Sequence, residues 1–183
     1  MSVHFGSLRQ LGYVVRDLDV AIDYWATQVG VGPFFVFRQA PIRDLRYRGV
    51  PCNARIAFAL AQTGDVQIEL IMPLDDIPSL YNAHLAQQGE GLQHVAYWTE
   101  DFKRLSEKAH TLGYEEVLSG YTGDPDGRFA YFTGTGHPGA CMEISALSET
   151  KQKLFRSVAT ASKVWDGSPE TRVVPMDAAP ELP

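Results

Sequence analysis

The sequence predicts an α+β fold in which two tandem βαβββ modules form one cupped mixed sheet, followed by a C-terminal helix. Three observations lead to this prediction. The stretch from Gln10 to Leu18 resembles that from His94 to Phe102, and both read as a strand that ends at an aspartate. Val66–Leu70 likewise resembles Ala140–Ile144 near the end of each half. Between these stretches, apolar spacing changes from that of strands to that of helices.

Each opening strand leads into an amphipathic helix. Asp17 and Asp101 stand where an aspartate caps a helix N-terminus, and Gly30 and Gly113 stand where a glycine ends one. Three strand-like runs then follow in each half. They are Phe34–Arg38, Ala54–Ala61 and Val66–Met72 in the first, and Glu115–Ser119, Arg128–Thr133 and Ala140–Ala146 in the second.

These elements define the boundaries that we expect along the chain. The first module spans residues 7–73, and the second spans residues 92–147. Residues 74–91 form a linker with a short helix over Ser79–Gln87. Residues 148–183 provide a capped helix and then an extended, proline-rich tail.

Composition and charge narrow the possible partners. The chain has 183 residues and a formal net charge of −6, without the cluster of lysines and arginines that nucleic-acid binding requires. No apolar stretch approaches the ~20 residues that cross a bilayer, and the N-terminus lacks the regions of a signal peptide. We therefore expect a cytoplasmic protein whose partner is a small-molecule substrate rather than nucleic acid or membrane. Cys52 and Cys141 predict two buried thiols rather than a disulfide.

Four polar residues interrupt the apolar strands at matching places in the two halves: Gln10, Glu69, His94 and Glu143. A buried carboxylate is unfavourable unless it is paired or bound to a metal. Because Glu69 and Glu143 occupy corresponding strands, the two carboxylates predict a shared cation. The alternatives are half-exposed strand glutamates, a histidine satisfied within the core and a glutamine bonded to the backbone. The internal match between the halves favours the metal site.

The repeat, the strand–Asp–helix openings and the two strand-borne glutamates resemble the vicinal oxygen chelate superfamily. That group includes glyoxalase I, methylmalonyl-CoA epimerase, extradiol dioxygenases and antibiotic-resistance proteins. The resemblance covers about residues 7–147. The stretches from Gln10 to Asp19, from Val66 to Leu74 and from Glu90 to Ala96 are most similar to the epimerase-like branch.

The resemblance implies that one divalent metal is bound by Gln10, Glu69, His94 and Glu143. Epimerases usually have a histidine at the first of these positions, whereas glyoxalase I of the animal type has a Gln/Glu/His/Glu zinc set. Zinc is therefore the favoured metal, with manganese, cobalt, nickel and iron as alternatives. If Gln10 only bonds to the backbone, three ligands remain.

The implied reaction is proton transfer by an isomerase, epimerase or lyase on a small oxygenated or acyl-thioester substrate, through a metal-stabilised enolate. Glu143 or Glu69 would act as the general base. The epimerases have a second carboxylate, for which this chain offers only Asp44. A metal-dependent dioxygenase is disfavoured because only one histidine is in place. A non-catalytic small-molecule binding protein is disfavoured because the ligand set is nearly complete.

Arg46, Tyr47 and Arg48 are candidates for contact with the substrate. They lie in residues 39–53, which we predict to be a loop. Arginines at these positions suit an anionic substrate group. An ordinary solvated loop with local ion pairs is an equally good interpretation.

Two further candidates for substrate contact lie in the second half. Trp98 shares a strand face with His94 and would form part of the cavity wall. His137 lies in a glycine-rich turn, where a role in the turn alone is the alternative to a place at the cavity mouth. The resemblance also implies a homodimer.

Overall fold

The structure of the protein is a computed structural model that describes residues 1–134 and 139–176. The described residues form a single mixed sheet of eleven strands with four α-helices, which confirms the predicted α+β class. The strands are β1 Gln10–Val14, β2 Phe34–Phe37, β3 Ile42–Tyr47, β4 Val50–Pro51, β5 Ile56–Thr63, β6 Val66–Pro73, β7 Gly91–Thr99, β8 Glu115–Thr122, β9 Arg128–Thr133, β10 Cys141–Ala146 and β11 Val173–Pro175. The helices are α1 Leu18–Tyr24, α2 Leu80–Gln87, α3 Phe102–Thr111 and α4 Glu149–Val164. A π-helical turn over Trp25–Val29 extends α1, and a 3₁₀ turn spans Pro169–Thr171.

The internal repeat is visible in the register of the sheet. The strand order is β11-β2-β5-β6-β1-β7-β10-β9-β8-β3-β4, with the antiparallel pair β1–β7 at the junction of the two halves. Gln10 pairs with Ala96 across this junction, and Gly12 pairs with His94. On the outer sides, β1 runs parallel to β6 and β7 runs parallel to β10. The two halves therefore meet around an approximate two-fold axis, as the sequence repeat predicts.

The helix caps also agree with the sequence. The Asp17 carboxylate accepts hydrogen bonds from the backbone N–H groups of Asp19 and Val20 at the start of α1. The Asp101 carboxylate accepts one from Arg104 at the start of α3. These bonds satisfy N–H groups that have no partner within the helix.

The sheet has an outer face and an inner face, each with its own apolar core. On the outer face, α1 packs against small residues of β5 and β6, and α3 packs against β9 and β10. Residues two positions apart in a strand share a face. The inner face therefore carries the other set of side chains, including Val14, Ile71, Phe129 and Tyr131, which form a second core with Tyr81 of α2.

The structure corrects the prediction that residues 39–53 form a loop. They contain the hairpin β3–β4, and β3 also pairs with β8 of the second half. Leu45 explains this placement, since it is buried in the inner core while its neighbours in β3 are exposed. The backbone has positive φ at Asp44 and Arg48, and the β3–β8 register shifts between Arg43 and Arg46.

The C-terminal region adds to both the inner face and the sheet edge. Helix α4 is the capped helix predicted for this region, and Ser148 caps it. In the tail, which we predicted to be extended, Val173–Pro175 pairs in parallel with β2 as β11. Residues 177–183 lie outside the described part of the chain. No helix in the described part is both long and apolar enough to cross a membrane.

Candidate metal centre

The strand register brings together three of the predicted ligands: Glu69 of β6, His94 of β7 and Glu143 of β10. Glu69 of β6 pairs with Gly12 of β1, and Gly12 pairs with His94 of β7. Gly12 is required here because a Cβ at this residue would lie 1.8 Å from Cε1 of His94. The imidazole therefore occupies the space above the Gly12 backbone. Glu143 of β10 pairs with Ala96, which follows His94 by two residues in β7 and therefore lies on the same face.

Three residues on the inner face, His94, Glu69 and Glu143, form a compact group that we call the triad. Nε2 of His94 lies 3.2 Å from Oε2 of Glu69 and 3.2 Å from Oε2 of Glu143. One ligand atom from each residue lies within 4.8 Å of the others. The side chains are well shielded, with exposed fractions of 0% for His94, 15% for Glu69 and 8% for Glu143.

This arrangement fits a divalent metal. Among the described residues, Nε2 of His94 finds no hydrogen-bond partner of suitable geometry, although it is fully buried. Buried polar nitrogens are rarely left in this state. A metal held by this nitrogen and the two carboxylates would satisfy all three groups, and imidazole with carboxylate oxygens suits zinc and the neighbouring transition metals.

The three groups shift one another's pKa values in the metal-free protein. Burial lowers the pKa of His94, but the two carboxylates outweigh burial and raise it to about 9. Burial raises the pKa of Glu69. Burial acts in the same sense on Glu143, but His94, Lys151 and Ser145 together hold the pKa of Glu143 below its ordinary value. At neutral pH the metal-free protein therefore carries an extra proton on His94, which a bound metal would displace.

A β-bulge fixes the orientation of the His94 ring. Gly12 pairs with His94 while Tyr13 pairs with Leu92, so Gln93 is an extra residue in β7. Nδ1 of His94 lies 2.9 Å from Oε1 of Gln93, and both side chains are buried. Because a carbonyl oxygen accepts, Nδ1 carries the proton and Nε2 is left to face the carboxylates. We did not predict Gln93 from the sequence, and the only signal was two adjacent polar residues in an apolar strand.

Gln10 occupies the position that corresponds to His94 in the other half. It is buried, and its amide nitrogen donates a 2.7 Å hydrogen bond to Oε1 of Gln67 on β6. This bond uses the amide nitrogen and leaves the Gln10 carbonyl oxygen as the atom suited to a metal. The assignment of Gln10 as a fourth ligand stays a prediction. Gln67 was not predicted and is the buried partner that orients the Gln10 amide.

In the structure, the predicted substrate-binding residues of the β3–β4 hairpin contact other residues of the same hairpin. Arg46 is exposed and donates a hydrogen bond to the carbonyl of Gly49. The guanidinium of Arg48 lies 5.3 Å from the centre of the Tyr47 ring. Asp44, the candidate second carboxylate, is also exposed. The roles assigned to these residues stay predictions.

The remaining two candidates for substrate contact are Trp98 and His137. Trp98 lies on the inner face four residues after His94 and stacks on Phe155 of α4 with the ring centres 4.2 Å apart. It therefore forms part of the wall on the triad's side of the sheet. His137 lies outside the described residues.

Two tyrosine rings that were not among the predicted site residues lie near His94. The ring of Tyr131 meets the imidazole of His94 edge-on at 4.9 Å, and Tyr131 pairs with Glu143 in the β9–β10 register. Tyr81 from α2 packs edge-on against Tyr131 in turn. Burial raises the pKa of both phenols, so both remain neutral donors. His94, Glu69 and Glu143 therefore lie among buried aromatic side chains, and surroundings of low polarity strengthen electrostatic interactions.

Comparison with known proteins places this arrangement in a family. A family model for the Glyoxalase/Bleomycin resistance protein/Dioxygenase superfamily matches residues 9–132. The chain belongs to this superfamily. This finding confirms the resemblance inferred from the repeat. No curated protein matches the chain.

Solved structures with a similar fold include several methylmalonyl-CoA epimerases. The enzyme from Mycobacterium tuberculosis is 21% identical, with a TM-score of 0.60 and coverage of 84% of this chain and 96% of its own. A variant of the Streptomyces coelicolor enzyme in complex with 2-nitronate-propionyl-CoA is 20% identical, with a TM-score of 0.56 and coverage of 79% and 96%. An epimerase in complex with methylmalonyl-CoA and NH4+ is also 20% identical, with a TM-score of 0.55 and coverage of 78% and 94%. These likenesses establish the fold.

Proposed function

We propose that the protein is a metal-dependent enzyme that moves a proton on a small oxygenated or acyl-thioester substrate, as an isomerase, epimerase or lyase. The observation that supports this proposal is the buried Nε2 of His94, which lies 3.2 Å from an oxygen of each of two carboxylates and makes no hydrogen bond of suitable geometry among the described residues. Such a group is unfavourable without a cation and well suited to one. Zinc is the metal that the ligand types favour.

His94, Glu69 and Glu143 would hold the metal, with Gln10 as the fourth ligand. When bound, a divalent metal supplies Lewis-acid stabilisation of the negative charge that develops on a substrate oxygen as the adjacent carbon loses a proton. Glu69 and Glu143 are the two groups that can take that proton and return it. Tyr131, which contacts His94, and Trp98, on the same face of the sheet, would shield a bound substrate from water.

The substrate class draws support from the similar structures as well as from the site. One of those epimerases is bound to methylmalonyl-CoA, and another to 2-nitronate-propionyl-CoA. Both molecules carry an acyl group on coenzyme A. For this chain, acyl thioesters and small 2-oxo or 2-hydroxy acids are therefore the substrates to test first.

Metal analysis and a substrate screen test this proposal together. We expect one metal per chain in the purified protein and an increase in Tm on adding zinc, manganese or cobalt. With metal-loaded protein and a substrate found by the screen, Glu143→Gln should reduce turnover by at least about 100-fold, the lower range for loss of a general base. Glu107→Gln is the matched control, because Glu107 is exposed on α3. A wild-type protein that binds none of these metals would refute the proposal.

A further inference from the structure

A buried lysine that the proposed mechanism does not use projects from α4 onto the inner face. Lys151 is only 7% exposed. Its Nζ donates a 2.9 Å hydrogen bond to Oγ of Ser145 and a 3.4 Å hydrogen bond to the carbonyl of Arg128, and it lies 5.8 Å from the centre of the Phe129 ring. Among the described residues, no carboxylate oxygen lies within 4.0 Å of this ammonium group.

The position of Ser145 relates Lys151 to the metal ligands. Ser145 follows Glu143 by two residues in β10, so both side chains lie on the inner face. Their strand neighbour Phe129 pairs with Ser145 in the β9–β10 register. Lys151 therefore lies close to Glu143. It donates a hydrogen bond to Ser145, and Ser145 follows Glu143 by two residues in β10.

Lys151 is buried because the apolar residues of helix α4 pack against the inner face of the sheet. Val158 of α4 is fully buried in a cluster with Leu60 and Phe35. Leu60 pairs with Glu69, so this cluster lies on the side of the sheet that carries the triad. Phe155 stacks on Trp98 in the same layer. The helix thus closes one end of the inner face and fixes Lys151 there.

A buried ammonium group without a paired carboxylate is unfavourable, and an apolar side chain would pack against Phe129 without this penalty. Burial lowers the pKa of Lys151 to about 8, and the charges of Glu143 and Glu69 only partly oppose that effect. Asp124 and Asp126 also attract the ammonium, but Asp124 is engaged by Thr150 and Asp126 is exposed. A group retained against its own stability is a candidate for function.

The charges of the site indicate what that function is. A divalent metal brings two positive charges, and Glu69 with Glu143 brings two negative charges, so with a neutral imidazole at His94 the ligand set is neutral. We propose that Lys151 adds a positive charge beside the neutral metal-ligand set, and that it thereby binds substrates with a single negative charge, such as a carboxylate beside the reacting oxygen. This inference rests on the proposed metal-dependent function.

Two binding measurements on Lys151→Met test the inference because they should change in opposite directions. Removing the cation should weaken binding of lactate, a monoanion, to the zinc-loaded protein by about tenfold, while binding of lactamide, its neutral analogue, changes little. The same substitution should tighten zinc binding severalfold, because a positive charge near the metal is lost. Lys151→Arg keeps the charge and should retain the lactate affinity.

Lys153→Met is the matched control, since Lys153 is exposed on the same helix and pairs with Glu149. It should alter neither affinity. Lys151→Gln serves as a second neutral variant in case the methionine variant does not fold. If Lys151→Met weakens zinc, lactate and lactamide together, Lys151 has a structural role only and the inference is overturned. Equal affinity of the wild type for lactate and lactamide, or no binding of either, would overturn it as well.

The same experiment separates this inference from the proposed reaction. A wild-type protein that binds zinc and prefers lactate over lactamide through Lys151, yet turns over no substrate in the screen, would refute the proposed reaction and leave the inference standing. A wild-type protein that binds no metal would refute both.

Discussion

Gly12 and His94 face each other across the β1–β7 pair so closely that the imidazole takes the place of a side chain at residue 12. A Cβ there would lie 1.8 Å from Cε1 of His94 and 2.3 Å from Nε2. At the corresponding place in the other half, Ala96 does carry a Cβ, and it pairs with Gln10. The flexible glutamine tolerates this methyl group, whereas the rigid imidazole ring of His94 cannot move aside without leaving the carboxylates.

Gly12→Ala is therefore expected to disrupt the metal site more than the fold. The added methyl group forces the His94 ring away from Glu69 and Glu143, which removes the nitrogen ligand. We expect zinc affinity to fall by at least about 100-fold, with loss of stability of about 1–3 kcal/mol from overpacking. Zinc titration and urea denaturation of the same samples separate the two effects. Wild-type zinc affinity in a folded Gly12→Ala protein would contradict the ligand role of His94.

Gln93→Leu tests the hydrogen bond to Nδ1 of His94. Without an acceptor for Nδ1–H, the ring loses its preferred tautomer and orientation, and zinc affinity is expected to fall about 10- to 100-fold. Gln93→Glu keeps an acceptor and should retain tight binding. Gln87→Leu, at an exposed position of α2, is the control. Cobalt-loaded protein provides a second measurement, since a changed ligand geometry alters its absorption spectrum.

The sequence repeat predicted the fold and the triad because both depend on local patterns that recur. Glu69 and Glu143 stand at the same place in strands of the same kind, and strand alternation then puts each carboxylate on the inner face. His94 follows from its match to Gln10. Nothing more than periodicity and position in the repeat was needed to bring these residues together.

Other parts of the site depend on contacts that local patterns do not encode. Strand β3 pairs with β8, which lies far along the chain, so its neighbour could not be read from the surrounding residues. Simple strand alternation assigns Gln93 to the outer face, and the bulge in β7 changes that assignment. Lys151 reads as one charge among several on an amphipathic helix, and only the packing of α4 on the inner face shows that it is buried.

Metal affinity should depend on pH through His94. The carboxylates raise the pKa of this group to about 9 in the metal-free protein, so the ring is protonated at neutral pH and must lose a proton before Nε2 can bind a metal. Apparent zinc affinity is therefore expected to rise about tenfold per pH unit between about pH 6 and 8, and to level off above about pH 9. Competition with a chelator of known pH dependence measures it. A flat profile over this range would contradict displacement of a proton from His94.

Lys151→Met is expected to make the protein more stable at neutral pH. The pKa of Lys151 is about 8 in the folded protein, below its ordinary 10.5, so the unfolded chain binds more protons between these values. Stability is therefore reduced in full below about pH 8, and the reduction fades as pH rises toward 10.5. The shift corresponds to at most about 3 kcal/mol, which the methionine variant should partly recover at pH 7 and not at pH 10.5. Urea denaturation at both pH values measures this, with Lys153→Met expected to stay within about 0.5 kcal/mol of the wild type. A methionine variant that is less stable than the wild type at pH 7 would show that the lysine contributes to folding, and that its burial needs no functional explanation.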